Sequence, residues 1–150
     1  MPTLSYGSLS PANSSDHSFD QLDELLKQLT EADVRIVRTC YVALLMNDYA
    51  RIFVARDEAD GGRIVGVLVV TLQCALSGWK AYIDSVVVHS DYRRQGILGE
   101  LNRYAVVFAR ERNVYRDELT SNNSSARQVA HAAYLKLGFR KRDTTVFRRE

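Results

Sequence analysis

Cysteine is scarce: Cys40 and Cys74 are the only two in 150 residues, and neither belongs to a Cys-x-x-Cys pair or a Cys/His cluster. That isolation argues against a zinc site or a redox pair and for two reduced, packed thiols. His17, His89 and His131 are just as scattered, so a metal site would need carboxylates drawn from distant segments, and no metal is expected. Long apolar runs are missing too. The longest, around Ile64–Leu72 and Val86–Val88, are too short for a spanning helix. The first residues lack a basic stretch followed by an apolar one, so the chain reads as cytoplasmic with no membrane partner. Proline occurs only at Pro2 and Pro11, near Gly7 and a Ser/Asn cluster. Residues 1–17 therefore read as a loose arm with at most a short strand near Leu4–Leu9.

What is present is ordinary globular material, with 46% hydrophobic and 25% charged residues, which excludes a disordered chain. At this length one core is expected, so residues 1–150 read as a single domain. Net charge is only +2, but residues 1–90 carry −4 and residues 91–150 carry +6. A basic half suits an anionic ligand, although arginines on solvated helix faces produce the same count. Nucleic acid is not expected, because aromatics do not interleave with a continuous basic stripe. Nothing in the sequence decides the oligomeric state, and a homodimer stays open.

Periodicity divides the chain. Ser18 and Gln21 resemble a capping box, and Phe19, Leu22, Leu25, Leu26 and Leu29 recur at near-helical spacing, predicting a helix over about 19–28. Thr30, Glu31 and Asp33 mark a second helix start, with Val34, Val37, Tyr41, Leu44 and Leu45 as its buried stripe. Strands are predicted at Ile52–Ala55, Arg63–Leu72 and Trp79–Val88, with turn residues at Asp57–Gly62. Ile97, Leu101, Tyr104, Ala105 and Phe108 then define a helix reaching about Arg112, with Asn113 as its stop. A short strand within Tyr115–Ser121 follows. After it, Ser124 or Ser125 would cap a helix whose Ala126, Val129, Ala130, Ala133, Tyr134 and Leu137 share a face, ended by Gly138. Phe139–Arg142 and Thr145–Arg148 are predicted as two closing strands.

The segment Arg93-Arg94-Gln95-Gly96-Ile97-Leu98-Gly99 carries the chemistry. A strand that delivers a basic, Gly-containing loop into a helix aims unpaired N–H groups and the positive dipole end at one spot. Gly96 lets the chain approach a phosphate closely or take a positive φ. A plain strand-to-helix turn with solvated arginines would read the same way. The spacing is that of neither the nucleotide P-loop nor the dinucleotide fingerprint.

This loop, with Arg93-x-x-Gly96 after an apolar-x-Val strand end, resembles the pyrophosphate loop of the GCN5-related N-acetyltransferase (GNAT) superfamily. Ala130-x-x-x-Tyr134-x-Lys136-x-Gly138-Phe139 resembles that family's second motif, and the likeness covers about Leu22–Arg148. It implies an α+β fold, with a mostly antiparallel twisted sheet of about six or seven strands flanked by about four helices. Splayed strands would form the cofactor cleft. It further implies an acyltransferase that uses acetyl-CoA as co-substrate and an amine acceptor as partner. In two places the sequence departs from the family. Leu98 stands where the family usually has Gly or Ala, with Gly99 one place later, and Arg127 replaces a cofactor-contacting asparagine.

The resemblance assigns Val86, Val87 and Val88 to main-chain contacts along the cofactor arm, where an N–H would also stabilise the oxyanion formed as an amine attacks the thioester. Arg93–Gly99 would hold the phosphates, and Arg127 is either a further phosphate contact or a solvated helix residue. Tyr134 matches the family's general acid, which protonates the departing thiolate. Asp84 occupies a strand place where relatives often carry an acid, and its apolar neighbours would raise its pKa toward that of a useful base. An Asp84 paired with an arginine, or a water as base, is the alternative there. The Leu98 and Arg127 departures leave one competing function, an acyl-CoA-binding module without turnover.

Overall fold

Val- and Ile-rich runs separated by turn residues drive the centre of the chain into strands that pair in sequence order. The computed structural model describes residues 1–28, 35–121, 123 and 127–150. They form two compact units, residues 1–119 and 120–150. In the first unit β1 (Leu4–Leu9), β2 (Ala50–Asp57), β3 (Arg63–Ala75), β4 (Gly78–Val88) and β5 (Asp117–Leu119) lie side by side in that order. All neighbours are antiparallel except the β4–β5 pair, which is parallel. The α+β class and the mostly antiparallel sheet are as expected, but there are five strands among the described residues rather than six or seven.

Helices cover both faces of this sheet. Ile52 and Val54 pair with Val69 and Val67, and these four share a buried cluster with Leu22, Leu25 and Tyr41 from α1 (Asp16–Leu26) and α2 (Arg38–Met46). The opposite face receives α3 (Ile97–Arg110), whose Ile97, Leu101, Ala105, Phe108 and Ala109 are buried along one stripe. Phe53 meets Tyr104 and Phe108 there, with ring centroids 5.7 and 6.3 Å apart. Each fully buried aliphatic side chain in these layers contributes about 1.5–3 kcal/mol.

Four expectations are corrected in this unit. The short strand allowed near Leu4–Leu9 is present, but it does not belong to a loose arm: it is a six-residue edge strand paired throughout with Ile52–Asp57, Leu9 is buried, and Tyr6 stacks on Tyr104. Helix α1 starts earlier than expected, because Ser15 accepts from the Ser18 N–H and caps it. Gln21, assigned to a capping box, instead accepts from the Ile64 N–H through Oε1 and ties the helix to β3. Val37 is 57% exposed rather than part of the α2 stripe, since it precedes the first helical turn. The second helix start, Thr30 to Val34, and Leu29 lie outside the described residues.

In the second unit α4 spans Gln128–Lys136, and Arg127 precedes its first turn. The expected cap residues Ser124 and Ser125, and Ala126, lie outside the described residues. No residue of α4 is buried; Ala130, Ala133, Tyr134 and Leu137 are half-buried, and Val129, 78% exposed, lies off the face they share. Residues 139–150 form no strand, against the expected closing pair. Among the described residues of this unit there is no further strand for them to join, and a lone two-stranded hairpin is marginal in water.

Candidate active site

The site is built where β4 leaves β5. Their ladder joins only Ala81, Tyr82 and Ile83 to Asp117, Glu118 and Leu119. From Asp84 to Val88 no strand, among the described residues, pairs with β4 on that side. Immediately past the last pair β4 bulges. Val69 pairs with Asp84 and Val67 with Val87, so Ser85 and Val86 together oppose Leu68. Ser85 takes φ +50°, the left-handed conformation that lets one extra residue fit. The bulge keeps Asp84 and Val87 on one face. Val87 is buried in the cluster beneath α1 and α2, Val86 and Val88 are half-buried, and Asp84 is exposed.

Asp84 is open to water, yet its surroundings still push its carboxyl above the ordinary carboxylate value. Desolvation is the cause, and a hydrogen bond with the Ser85 hydroxyl opposes it. A carboxylate so placed accepts a proton more readily than a free aspartate does.

Past Val88 the chain makes a short 3₁₀ turn at Ser90–Tyr92 and enters α3. Arg94 at φ +63° and Gly96 at φ +78° both take left-handed backbone. Glu100 N–H is the first to reach back to the Gly96 carbonyl, at 3.1 Å, so the N–H groups of Ile97, Leu98 and Gly99 precede the helical ladder and face the loop end. Arg93, Arg94 and Gln95 are exposed around them, and Arg93 Nε donates to the Val88 carbonyl at 3.3 Å. Among the described residues neither arginine is held in a salt bridge. Donor groups, the positive end of a 14-residue helix and two arginines therefore meet at one point that suits a phosphate. Leu98 is half-buried, and its main-chain N–H belongs to the same orphan set.

Sequence reasoning missed the anchor behind this loop. The Tyr92 hydroxyl donates to Asp57 Oδ2 at 2.8 Å, while Oδ1 accepts from the N–H groups of Thr3 and Ala59 at 3.1 and 3.0 Å. Desolvation acts to raise the Asp57 carboxyl, but these three donors outweigh it and hold its pKa below the ordinary value. Its partner sits 35 residues away, so no local pattern marks the pair.

Within residues 120–150, Tyr134 is half-buried on α4 and its phenol is pushed above the ordinary value by desolvation, which the Arg127 charge opposes. The Tyr134-x-x-x-Gly138-Phe139 run has a structural reason of its own. Gly138 takes φ +95°, its N–H reaches the Leu135 carbonyl, and the Phe139 N–H reaches the Tyr134 carbonyl, which is the Schellman helix end.

Two surface concavities lie off the β4 gap. One of about 410 Å³ adjoins Asp57, Tyr92 and Gln95, and one of about 300 Å³ lies beside Arg51, Phe108 and Arg112. Along Asp84–Val88 the edge of β4, unpaired by any strand among the described residues, offers main-chain groups to an extended ligand. No group of three His, Cys, Asp or Glu among the described residues is placed to hold a metal. None of the described helices is long and apolar enough to cross a membrane.

Solved structures share this architecture. A putative acetyltransferase from Agrobacterium tumefaciens str. C58 is 23% identical, with a TM-score of 0.78 over 97% of this chain and 99% of its own. An aminoglycoside acetyltransferase, HMB0005, from an uncultured soil metagenomic sample is also 23% identical, with a TM-score of 0.78 and 99% of both chains covered. The structure of AAC(6')-Iy, in complex with the bisubstrate analogue CoA-S-monomethyl-acetylneamine, is 14% identical, with a TM-score of 0.75 over 99% and 98%. No curated protein matches the sequence. The model of the acetyltransferase (GNAT) family matches residues 15–139, a span holding the β4 bulge, the loop into α3 and the Schellman end of α4, and the chain belongs to that family.

Proposed function

We propose that the chain transfers the acetyl group of acetyl-CoA to a primary amine of a small molecule or peptide, by direct attack within a ternary complex. One observation carries this reading: the β5-side edge of Asp84–Val88, which no strand among the described residues pairs, is followed, through the Ser90–Tyr92 turn and the Arg93–Gly96 loop, by a helix N-terminus flanked by Arg93 and Arg94. Acetyl-CoA needs both, because its pantetheine arm carries amides that pair with a strand and its pyrophosphate needs convergent donors. The aminoglycoside acetyltransferase and the CoA-conjugate complex among the similar structures support an amine acceptor and a CoA donor.

The residues divide the work. Main-chain groups of Val86, Val87 and Val88 align the arm and present an N–H to the thioester oxygen. Gly96, Ile97, Leu98 and Gly99 offer N–H groups to the phosphates, with Arg93, Arg94 and Gln95 around them. Asp84, at the closed end of the gap, takes the proton from the incoming ammonium, and its raised pKa suits it to that task. Tyr134 donates a proton to the departing thiolate, and Arg127, in the same short unit, offers a further charge to the cofactor. The assignment of Tyr134 and Arg127 rests on the motif around them.

The test is thiol release from acetyl-CoA across a panel of primary amines, run beside a melting-temperature titration with CoA. The expected result is amine-dependent thiol release together with a CoA-dependent rise in melting temperature. A rise without release from any amine would overturn transfer and leave a binding module. No rise at all would remove the cofactor assignment itself.

A further inference from the structure

The loop that would receive the phosphates is built from backbone that does not hold itself. Arg94 carries a side chain in left-handed conformation, at a cost of about 1–2 kcal/mol. Two residues on, Gly96 is left-handed as well. Such a segment keeps one shape only when its ends are fixed from outside. Helix α3 fixes the far end. At the near end, the start of the turn is held from outside, His89 N–H by the Val65 carbonyl at 2.8 Å and Ser90 N–H by Gln28 Oε1 at 3.3 Å. The main-chain bonds after that stay inside the turn, where Tyr92 N–H reaches the His89 carbonyl at 2.9 Å and Asp91 N–H reaches His89 Nδ1 at 3.1 Å. The Tyr92 hydroxyl is different, because it ties the residue just before Arg93 to Asp57 at the end of β2.

We propose that Asp57 and Tyr92 are positioning residues for the Arg93–Gly96 loop, setting affinity for the diphosphate-bearing cofactor without touching it. The inference rests on reading that loop as the acetyl-CoA site. The carboxylate is suited to the task because its two oxygens serve different elements. Oδ1 gathers the start of β1 and the β2–β3 turn, and Oδ2 is left for the tyrosine. Asp57 is only 5% exposed, so water cannot readily substitute for a lost partner. Tyr92→Phe has no donor and breaks the link outright, whereas Asp57→Asn removes the charged acceptor and leaves at most an amide N–H donated to the tyrosine oxygen, weakening the same link.

The experiment measures the dissociation constant for CoA by calorimetry, far below each variant's melting transition, for the unaltered chain, Tyr92→Phe, Asp57→Asn, the double variant and Arg93→Ala. Tyr92→Phe is expected to weaken binding roughly ten-fold, and the double variant to be no weaker than the worse single one. A purely structural pair would lower melting temperatures and leave the constant unchanged. An unchanged constant in Tyr92→Phe, with Arg93→Ala weakened, overturns the anchor and leaves the loop's assignment standing. Effects that multiply in the double variant overturn the coupling. If Arg93→Ala binds as well as the unaltered chain, or none of the proteins binds CoA, the reading of the loop falls and the anchor's role with it. Asp57 also holds β1, so if Asp57→Asn does not fold, Tyr92→Phe against Arg93→Ala decides alone.

Discussion

The Phe139 N–H donates to the Tyr134 carbonyl at 3.1 Å, and the two rings meet edge to face with centroids 6.1 Å apart. The residue assigned as acid is thus clasped from both backbone and side chain by the residue that follows the helix-ending glycine. Gly138 makes this arrangement possible at φ +95°, with no heavy atom within 4 Å of where a Cβ would stand. Gly138→Ala therefore meets no clash and should cost about 1–3 kcal/mol from backbone strain alone. Chemical denaturation checks this; a variant as stable as the parent would mean that the helix end relaxes freely.

Tyr134→Phe keeps the ring contact and removes only the hydroxyl. Turnover is expected to fall by about 100-fold or more while CoA affinity is unchanged. Because desolvation raises this phenol, its acid form persists above the ordinary phenol range, and it should impose no alkaline limb near neutral pH. Steady-state rates beside a CoA titration decide the matter, and full turnover in the phenylalanine variant with chemistry rate-limiting removes the acid role.

Asp84→Asn should lose activity yet gain stability. The folded-state pKa of Asp84 is raised, so over the window between its unfolded and folded values the folded chain holds the proton more tightly. Stability contributed by this group therefore falls as pH rises through that window, and above it the carboxylate is a standing cost. The asparagine variant should melt higher at neutral pH, with the gain vanishing well below the window. Its rate profile should lack the rise with pH that deprotonating the base produces. A lower melting temperature at neutral pH would contradict the desolvated carboxylate.

Gly66→Ala tests how closely α3 sits on the sheet. The new methyl would stand 2.9 Å from Ile97 Cγ2 and 3.4 Å from Leu101 Cδ1. Ile97 is β-branched, stiff and the first residue of the helix, so it can yield only by shifting the helix start. The expected cost is about 1–3 kcal/mol, accompanied by weaker CoA binding. Thermal melts with and without CoA separate the two effects.

The helix stripe from Ile97 to Phe108 and the strand runs at 63–72 and 79–88 were legible because their periods are local and strong. Gly138 was legible for the same reason, since an αL cap is written in one residue. Edge strand β1 was legible only as a short strand allowed near Leu4–Leu9 in a loose arm; that it is paired throughout could not be read, because its partner lies about 50 residues away and its own polarity is mixed. The Phe139–Arg142 and Thr145–Arg148 runs point in the opposite direction, having strand-like residues but, among the described residues of their unit, no further strand to make a sheet with. The Ser15 cap lost out to a better-looking Ser18–Gln21 pattern, whose glutamine the tertiary structure uses to hold β3. The Asp57–Tyr92 link had no sequence signal, since it joins a hairpin turn to a loop through side chains alone. Asp84 and Val86–Val88 could be named from motif, but the Ser85 bulge that sets their directions could not.

That bulge shifts the phase of the strand. Before it, even-numbered residues of β4 share a face with Val69, and after it odd-numbered ones do, as the Asp84 and Val87 pairings require. The strand therefore counts in twos with one beat inserted. Flatten the bulge while keeping every residue and an unbroken rhythm returns, so that either the acid turns to the α3 side or a core valine turns away from α1 and α2. With the chain at its present length, the left-handed turn at Ser85 is therefore what keeps the acid and the core valine pointing the same way; deleting that residue would leave both in place and take away only the extra main-chain unit between them.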